Sequence, residues 1–327
     1  MMLKNRQISI FGLGNPLMDI ITHVEDDFVS DRGIKLHTMN LIDEEKFKKY
    51  FSELTDYTLM AGGSCANTLR GFTFLNAQNE LPAPLFIGAV GKDELGDHYI
   101  RTIENAGVIS GIIKKQSHTG ASLILVTPDL ERTMLTSLGA CRTITITDID
   151  RTMVTDAGIL HITGYQWDTA NQKKLVKELV ETAKKNDVLI SFDLADPFVA
   201  SRYRDDFLSW IPNHVDVLFG NYDEYALLTG VHNDCKSVIT AAKSMADIVL
   251  MKIGKDGSYC YADNKLLHSK GFTVEAVDTT GAGDAYAGGF LYGLLKQFTL
   301  EECCTCANKL ASQIVTIQGC DYNQLSY

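Results

Sequence analysis

Val277–Gly293, VDTTGAGDAYAGGFLYG, reads as a loop that turns into a helix. Asp278, Thr279 and Thr280 are turn formers, Gly281-Ala282-Gly283 lets the backbone curl, and Asp284 opens an apolar run of small residues. Consecutive amides in that geometry point outward at a helix N-terminus, where the peptide dipoles favour negative charge. Gly281, Ala282 and Gly283 are therefore a candidate anion hole. A carboxylate beside an anion cradle repels the anion, so it is ill suited to binding alone. It makes sense where Asp284 takes a proton from an attacking hydroxyl while the amides hold phosphoryl oxygens. The same residues also fit a plain glycine-rich N-cap with an acidic first turn.

Around this stretch, short apolar runs alternate with helical patterns. Strands are predicted over Ile8–Leu13, Leu85–Val90, Ile159–Thr163, Leu189–Leu194, Val215–Gly220 and Ile248–Ile253. Their apolarity is continuous rather than alternating, which predicts strands covered on both faces. Helices are predicted over Ser64–Leu75, Gly96–Ala106, Asn171–Lys185, Asp223–Leu228, Ser237–Met245 and Asp284–Lys296. In the third of these Leu175, Val176, Leu179, Val180 and Ala183 form an amphipathic stripe. The fold class is α/β: a central, mostly parallel sheet with helices on both faces and ligands at the strand C-terminal ends. Two stretches break the rhythm. Thr119–Leu138 reads as a hairpin with Pro128-Asp129 in its turn, and residues from Asp19 to about Asn40 lack helical alternation. They predict a small β sheet projecting as a lid.

A chain of 327 residues, 45% hydrophobic and 22% charged, is an ordinary globular composition. The formal charge is −11, from 30 basic and 41 acidic residues. With no basic run to offset it, nucleic acid is excluded as a main partner. The eight cysteines hold a single C-x-x-C spacing, Cys303–Cys306 in CCTC, with no histidine nearby, and read as reduced thiols. The apolar run at the N-terminus is too short for a signal peptide, and no run is long enough to span a membrane. The expected location is cytoplasmic.

Further segments carry candidate chemistry. In Ala61–Asn67, AGGSCAN, Gly62 and Gly63 allow close approach to the backbone, Ser64 can cap the following helix, and Asn67 can meet a sugar hydroxyl pair. A turn with a solvated Asn is the other reading. Gly12–Asp19, GLGNPLMD, lacks the third glycine of a dinucleotide fingerprint, and Pro16 interrupts the expected helix. Asp19 can accept from vicinal hydroxyls or sit in a surface turn. Gly88–Asp93 has the wrong spacer for a P-loop, and Asp93 is read as a helix cap. Asn221 and Glu224 fit a capping box, and Glu224 can also hold a magnesium ion through water. Gly254 and Gly257 form a tight turn able to border a nucleotide.

Together these segments resemble the PfkB/ribokinase-like carbohydrate kinase family. D-T-x-G-A-G-D matches at Asp278–Asp284, the glycine signature at Gly62–Asn67 extends to Gly88–Gly96, and N-x-x-E matches at Asn221–Glu224. Within the family the chain looks most like the adenosine kinase branch, through GNPLMDI at Gly14–Ile20 and Asp-Pro-Phe at Asp196–Phe198. The resemblance implies a single ribokinase-like domain over 1–327, with lid segments at approximately 15–45 and 110–138. It implies Asp284 as base, and Asn15, Asp19, Gly62, Gly63, Ser64 and Asn67 around the ribose. Phe198 would stack on the base, beside Leu17, Met134 and Leu138. Thr279, Asn221, Lys252, Gly254, Gly257 and Asn308 would lie on the ATP side, with Arg132 reaching the phosphates.

The implied activity is ATP- and magnesium-dependent phosphorylation of the primary hydroxyl of a nucleoside, adenosine first. A ribose- or fructose-like sugar acceptor is the alternative, and a noncatalytic sensor the remote one. A monovalent cation is an optional addition, and the assembly is a monomer or a lid-mediated homodimer. Four features depart from the adenosine kinase pattern: the stretch Gly319–Tyr327, GCDYNQLSY, differs from the family's usual ending, Asn308 looks more like the family's general sugar kinases, and two more concern the pocket. Thr136 puts a hydroxyl on an otherwise apolar wall, and Tyr165 and Trp167 compete for the place of a second stacking ring.

Overall fold

The computed structural model describes residues 6–30, 32–35, 39–128 and 132–325. The apolar runs form a nine-stranded sheet in the order Lys265–Ser269, Ser258–Ala262, Ile248–Lys252, Val217–Asn221, Leu189–Asp193, Ala157–Thr163, Ile8–Leu13, Leu85–Ile87, Ile109–Ser110. The first two form an antiparallel hairpin joined antiparallel to 248–252, and every other neighbouring pair is parallel. Side chains alternate between two cores, as they must when both faces are covered. Leu218, Val249 and Met251 enter one core, with Leu175, Leu179 and Phe207 from the helices Ala170–Lys184 and Arg204–His214. Val217, Phe219 and Leu250 enter the other, with Leu69, Phe72, Phe290 and Cys304 from Ser64–Leu75, Ala282–Leu295 and Leu300–Ile314.

A five-stranded second sheet has the order Met39–Leu41, Arg132–Ser137, Ala121–Val126, Leu17–His23, Thr58–Gly62. The predicted hairpin pairs antiparallel from Arg132↔Val126 to Ser137↔Ala121. Its turn runs into 129–131, outside the described residues. Asp19 lies within strand 17–23 rather than in a turn after the first strand. Strand 58–62 falls outside the two stretches expected to build this sheet, while Ile113–Lys115 pairs instead with Ala89–Gly91.

Other expectations are corrected. The single strand Leu85–Val90 breaks at Gly88, where the Pro16 ring would lie 2.6 Å from an added Cβ. The helix expected over Ser237–Met245 is Cys235–Ala241, started by Asp234 accepting from the amides of Lys236 and Ser237. Asp93 does cap its helix, accepting from the Gly96 amide at 2.9 Å.

Candidate active site

The helix Ala282–Leu295 begins at Gly281, whose φ of 75° is left-handed and suits a residue without a Cβ. Its first turn projects from the C-terminal edge of the sheet. The Ala282 amide is taken by the Thr279 carbonyl at 3.2 Å, while those of Gly281 and Gly283 find no acceptor among the described residues. Two of the three expected amides are therefore open to an anion, and the middle one serves the turn. Asp278 shapes that turn by accepting from the Thr280 amide and hydroxyl.

Asp284 keeps partial access to solvent and is held by two donors. The Ser64 hydroxyl donates to Oδ1 at 2.6 Å, and the Asn67 amide donates to Oδ2 at 3.0 Å. Both come from helix Ser64–Leu75, which starts at Gly63 with φ 96°, where a Cβ would meet the Asn15 carbonyl at 2.3 Å. Burial pushes the Asp284 carboxyl up to about 6, against the pull of Ser64 and Asn67; Asp193 adds to the rise and Lys252 opposes it. A carboxylate so tuned is ionised at neutral pH yet basic enough to accept a proton.

Asp193 was missed by sequence reasoning. It ends strand 189–193, is 2% exposed, and pairs with Lys252 at 2.8 Å. Burial alone would lower the Lys252 ammonium, but Asp193, Glu224 and Asp284 raise it above its usual value, so it stays charged. Lys252 Nζ lies 3.1 Å from where a Gly283 Cβ would stand, which puts a fixed cation against the open amides. Glu224 is buried and completes the expected capping box, accepting from the Asn221 amide at 2.8 Å and its side chain at 2.9 Å. Burial pushes Glu224 up to about 7. Each of its oxygens keeps a lone pair beyond these bonds, so the donor set suits a water-coordinated magnesium ion.

On the other side, an added Cβ at Gly62 would lie 2.4 Å from Asp19 Oδ2, so that carboxylate lies directly over the Gly62 backbone. Asn15 Oδ1 accepts from Gln166 and Gln172, both at 2.9 Å, two fully buried side chains that nothing in the sequence singled out. The Leu17 side chain and the Leu138 carbonyl flank Gly120, 2.9 and 2.8 Å from where its Cβ would stand. Met134 is half-buried on the adjacent strand. The Thr136 hydroxyl pairs with Ser122 at 2.9 Å, so its polarity is spent within the sheet. Phe198 is 60% exposed, its amide fixed by Asp196. Trp167 is not available for stacking: it is 2% exposed, edge-on to Phe192, Phe207 and Trp210. Tyr165 remains, half-buried, its hydroxyl pushed up by burial and by Asp196 and Asp284.

Some expected residues lie apart from this cluster or play another part. The Asn308 amide bonds to Ser258, Ser269 and the Ser269 carbonyl, anchoring the edge hairpin. Gly254 and Gly257 form the turn into that hairpin, both at positive φ. Thr279 is exposed beside the anion hole. Arg132 opens its strand, but its side chain lies outside what the structure describes.

A carboxylate held by two donors, two open amides and a partly buried ammonium gather at the C-terminal edge of a doubly covered sheet, on a ribokinase-like fold that belongs to a phosphotransferase class. Residues 33–326 match the pfkB family carbohydrate kinase profile, and the chain belongs to that family. It is similar to the crystal structure of adenosine kinase from Sinorhizobium meliloti, with TM-score 0.85 and 29% identity over 96% of this chain and 95% of that one. It is equally similar to that of a probable sugar kinase protein from Rhizobium etli CFN 42, with TM-score 0.86 and 30% identity over 96% and 94%. Adenosine kinase 2 of Arabidopsis thaliana is 24% identical over 337 residues, covering 96% of this chain and 95% of the relative. Among the described residues no helix is long and apolar enough to cross a membrane.

Proposed function

We propose that this enzyme transfers the γ-phosphoryl group of ATP to the primary 5′-type hydroxyl of a nucleoside, adenosine first. The observation that carries it is Asp284, held by Ser64 and Asn67 beside the open amides of Gly281 and Gly283. The acceptor oxygen attacks phosphorus in line as its proton passes to Asp284; the bond from phosphorus to the β-phosphate oxygen breaks and ADP leaves. The Gly281 and Gly283 amides and the Lys252 ammonium stabilise the charge on the transferring oxygens. A magnesium ion held through water by Glu224 and by the nucleotide's own phosphates would neutralise phosphate charge. Lys252 already supplies a fixed cation there, which leaves a monovalent cation optional.

Asp19 and the Gly62–Gly63 backbone would take the ribose hydroxyls, Asn15 would border them, and Phe198 would cover the base. Asn67 and Ser64 act on Asp284 rather than on the sugar alone. The burial of Trp167 favours a second reading, a sugar acceptor, because it removes one of two candidate rings. Strands 39–41 and 58–62 form the edges of the small sheet, where a homodimer would pair; otherwise the chain is a monomer. kcat/KM for adenosine, inosine, ribose and fructose, measured side by side, tests the acceptor. Adenosine should lead by about 100-fold or more, since each stacked or hydrogen-bonded base group contributes about 1–3 kcal/mol. A lead for ribose or fructose would replace it with the sugar reading.

A further inference from the structure

The segment after the last helix, residues 315–325, touches the site at separate points. The Val315 carbonyl accepts the amides of Val277 at 2.7 Å and Asp278 at 3.2 Å. The Gly319 amide donates to Asp278 Oδ2 at 2.7 Å, opposite the oxygen that shapes the turn into Gly281. Cys320 is 2% exposed, and its Sγ lies 2.6 Å from where a Gly281 Cβ would stand. The thiol therefore fills the space directly against the left-handed glycine. The Tyr322 hydroxyl donates to the Asn67 carbonyl at 3.3 Å, and its ring packs on Phe74 and under the Arg70 guanidinium. Cys320 and Tyr322 share a small core of their own with Ala285, Leu310 and Ile314, against which Ala282 and Leu325 pack.

We propose that this tail is a positioning clamp: Gly319, Cys320 and Tyr322 fix the Gly281 amide and the Asn67 side chain in the geometry that phosphoryl transfer needs. The clamp rests on the reading of Asp284 as base. Residues 270–281 form no helix or strand and are mostly exposed, so little else orders the approach to Gly281. Asn67 sits in the first turn of its helix, where a shift of its backbone moves the amide that holds Asp284. A displacement of about 1 Å at such groups can cost on the order of 100-fold in turnover. A tail that only adds stability would change the melting temperature and leave turnover alone.

The test uses full-length Tyr322→Phe and Cys320→Ala, with Leu325→Ala as the control. Leu325 packs in the same small core but has no hydrogen bond to Asn67 or Asp278 and no place against Gly281. For Tyr322→Phe and Cys320→Ala, kcat should fall about ten-fold with acceptor KM nearly unchanged. In Tyr322→Phe the acid limb of kcat should also move up, because Asp284 loses part of the Asn67 bond that holds its carboxyl down. Leu325→Ala should lower the melting temperature and keep kcat. Equal kcat and equal limbs in all three overturn the clamp while leaving the kinase reading intact. If the wild type transfers phosphate to no acceptor, the kinase reading fails, and hydrogen exchange decides the clamp. Faster exchange of the 281–284 amides in Tyr322→Phe and Cys320→Ala than in Leu325→Ala supports it, and equal exchange overturns it.

Discussion

Asp284 carries opposite demands: burial resists its charge, and the proposed proton transfer needs that charge. With the folded carboxyl at about 6, kcat/KM should rise with pH through that value and level off above it; a profile flat from about pH 5 to 7 would contradict the assignment. The same shift sets the sign for stability. A carboxyl raised above its unfolded value binds its proton more tightly in the fold, so its stabilisation is full below about pH 4 and is lost as pH rises through about 6. Asp284→Asn should therefore melt higher than wild type at pH 8, by on the order of 1 kcal/mol after allowing for partial exposure, with no difference at about pH 4. Thermal melts at the two pH values check this. Lys252→Met removes the ion-pair partner of Asp193, which is 2% exposed, and should cost about 3–5 kcal/mol in denaturant titration. The motif made Asp284, Ser64 and Asn67 visible from sequence. Asp193 was invisible because its partner Lys252 is 59 residues away, joined to it only by the order of strands.

Helices with a clear apolar stripe were legible: Ser64–Leu75 is where the pattern put it, and the long amphipathic helix is shifted by one residue at each end. Arg204–His214 was not, because Pro212 lies inside it and a proline reads as a helix breaker. The edge hairpin 258–269 was also missed. Its signal was present in Asp263-Asn264, both at positive φ, the turn chemistry of a two-residue hairpin between alternating strands. That hairpin also accounts for the Asn308 amide nitrogen, which bonds to Ser258 and Ser269. At this scale the sharpest test is Gly257→Ala. Gly257 has φ 95°, and a Cβ there would lie 2.2 Å from the Ser269 carbonyl. The substitution should destabilise by about 2–3 kcal/mol; a loss below about 0.5 kcal/mol would show that the turn adapts.

In the whole molecule, the residues proposed to hold the acceptor come from elements of both sheets. Asp19 and Gly62 belong to the small sheet, while Asn67 and Phe198 belong to helices on the large one. The doubly covered sheet was legible because continuous apolar strands allow few other packings. The small sheet was only partly so: strand 58–62 is short and mixes exposed with buried positions, which leaves little periodicity to read. A nucleoside that bridges the two should stabilise the whole chain, raising its melting temperature by about 5 °C at a hundred-fold excess over Kd. An equal rise with fructose at the same concentration would argue that the base adds nothing. The central claim, that Asp284 takes the acceptor's proton, is tested most directly by phosphoryl transfer in Asp284→Asn, with ATP binding measured on the same preparation. Transfer should fall by about 1,000-fold or more with nucleotide binding retained. Retention of more than about a few per cent of the wild-type kcat would contradict the account.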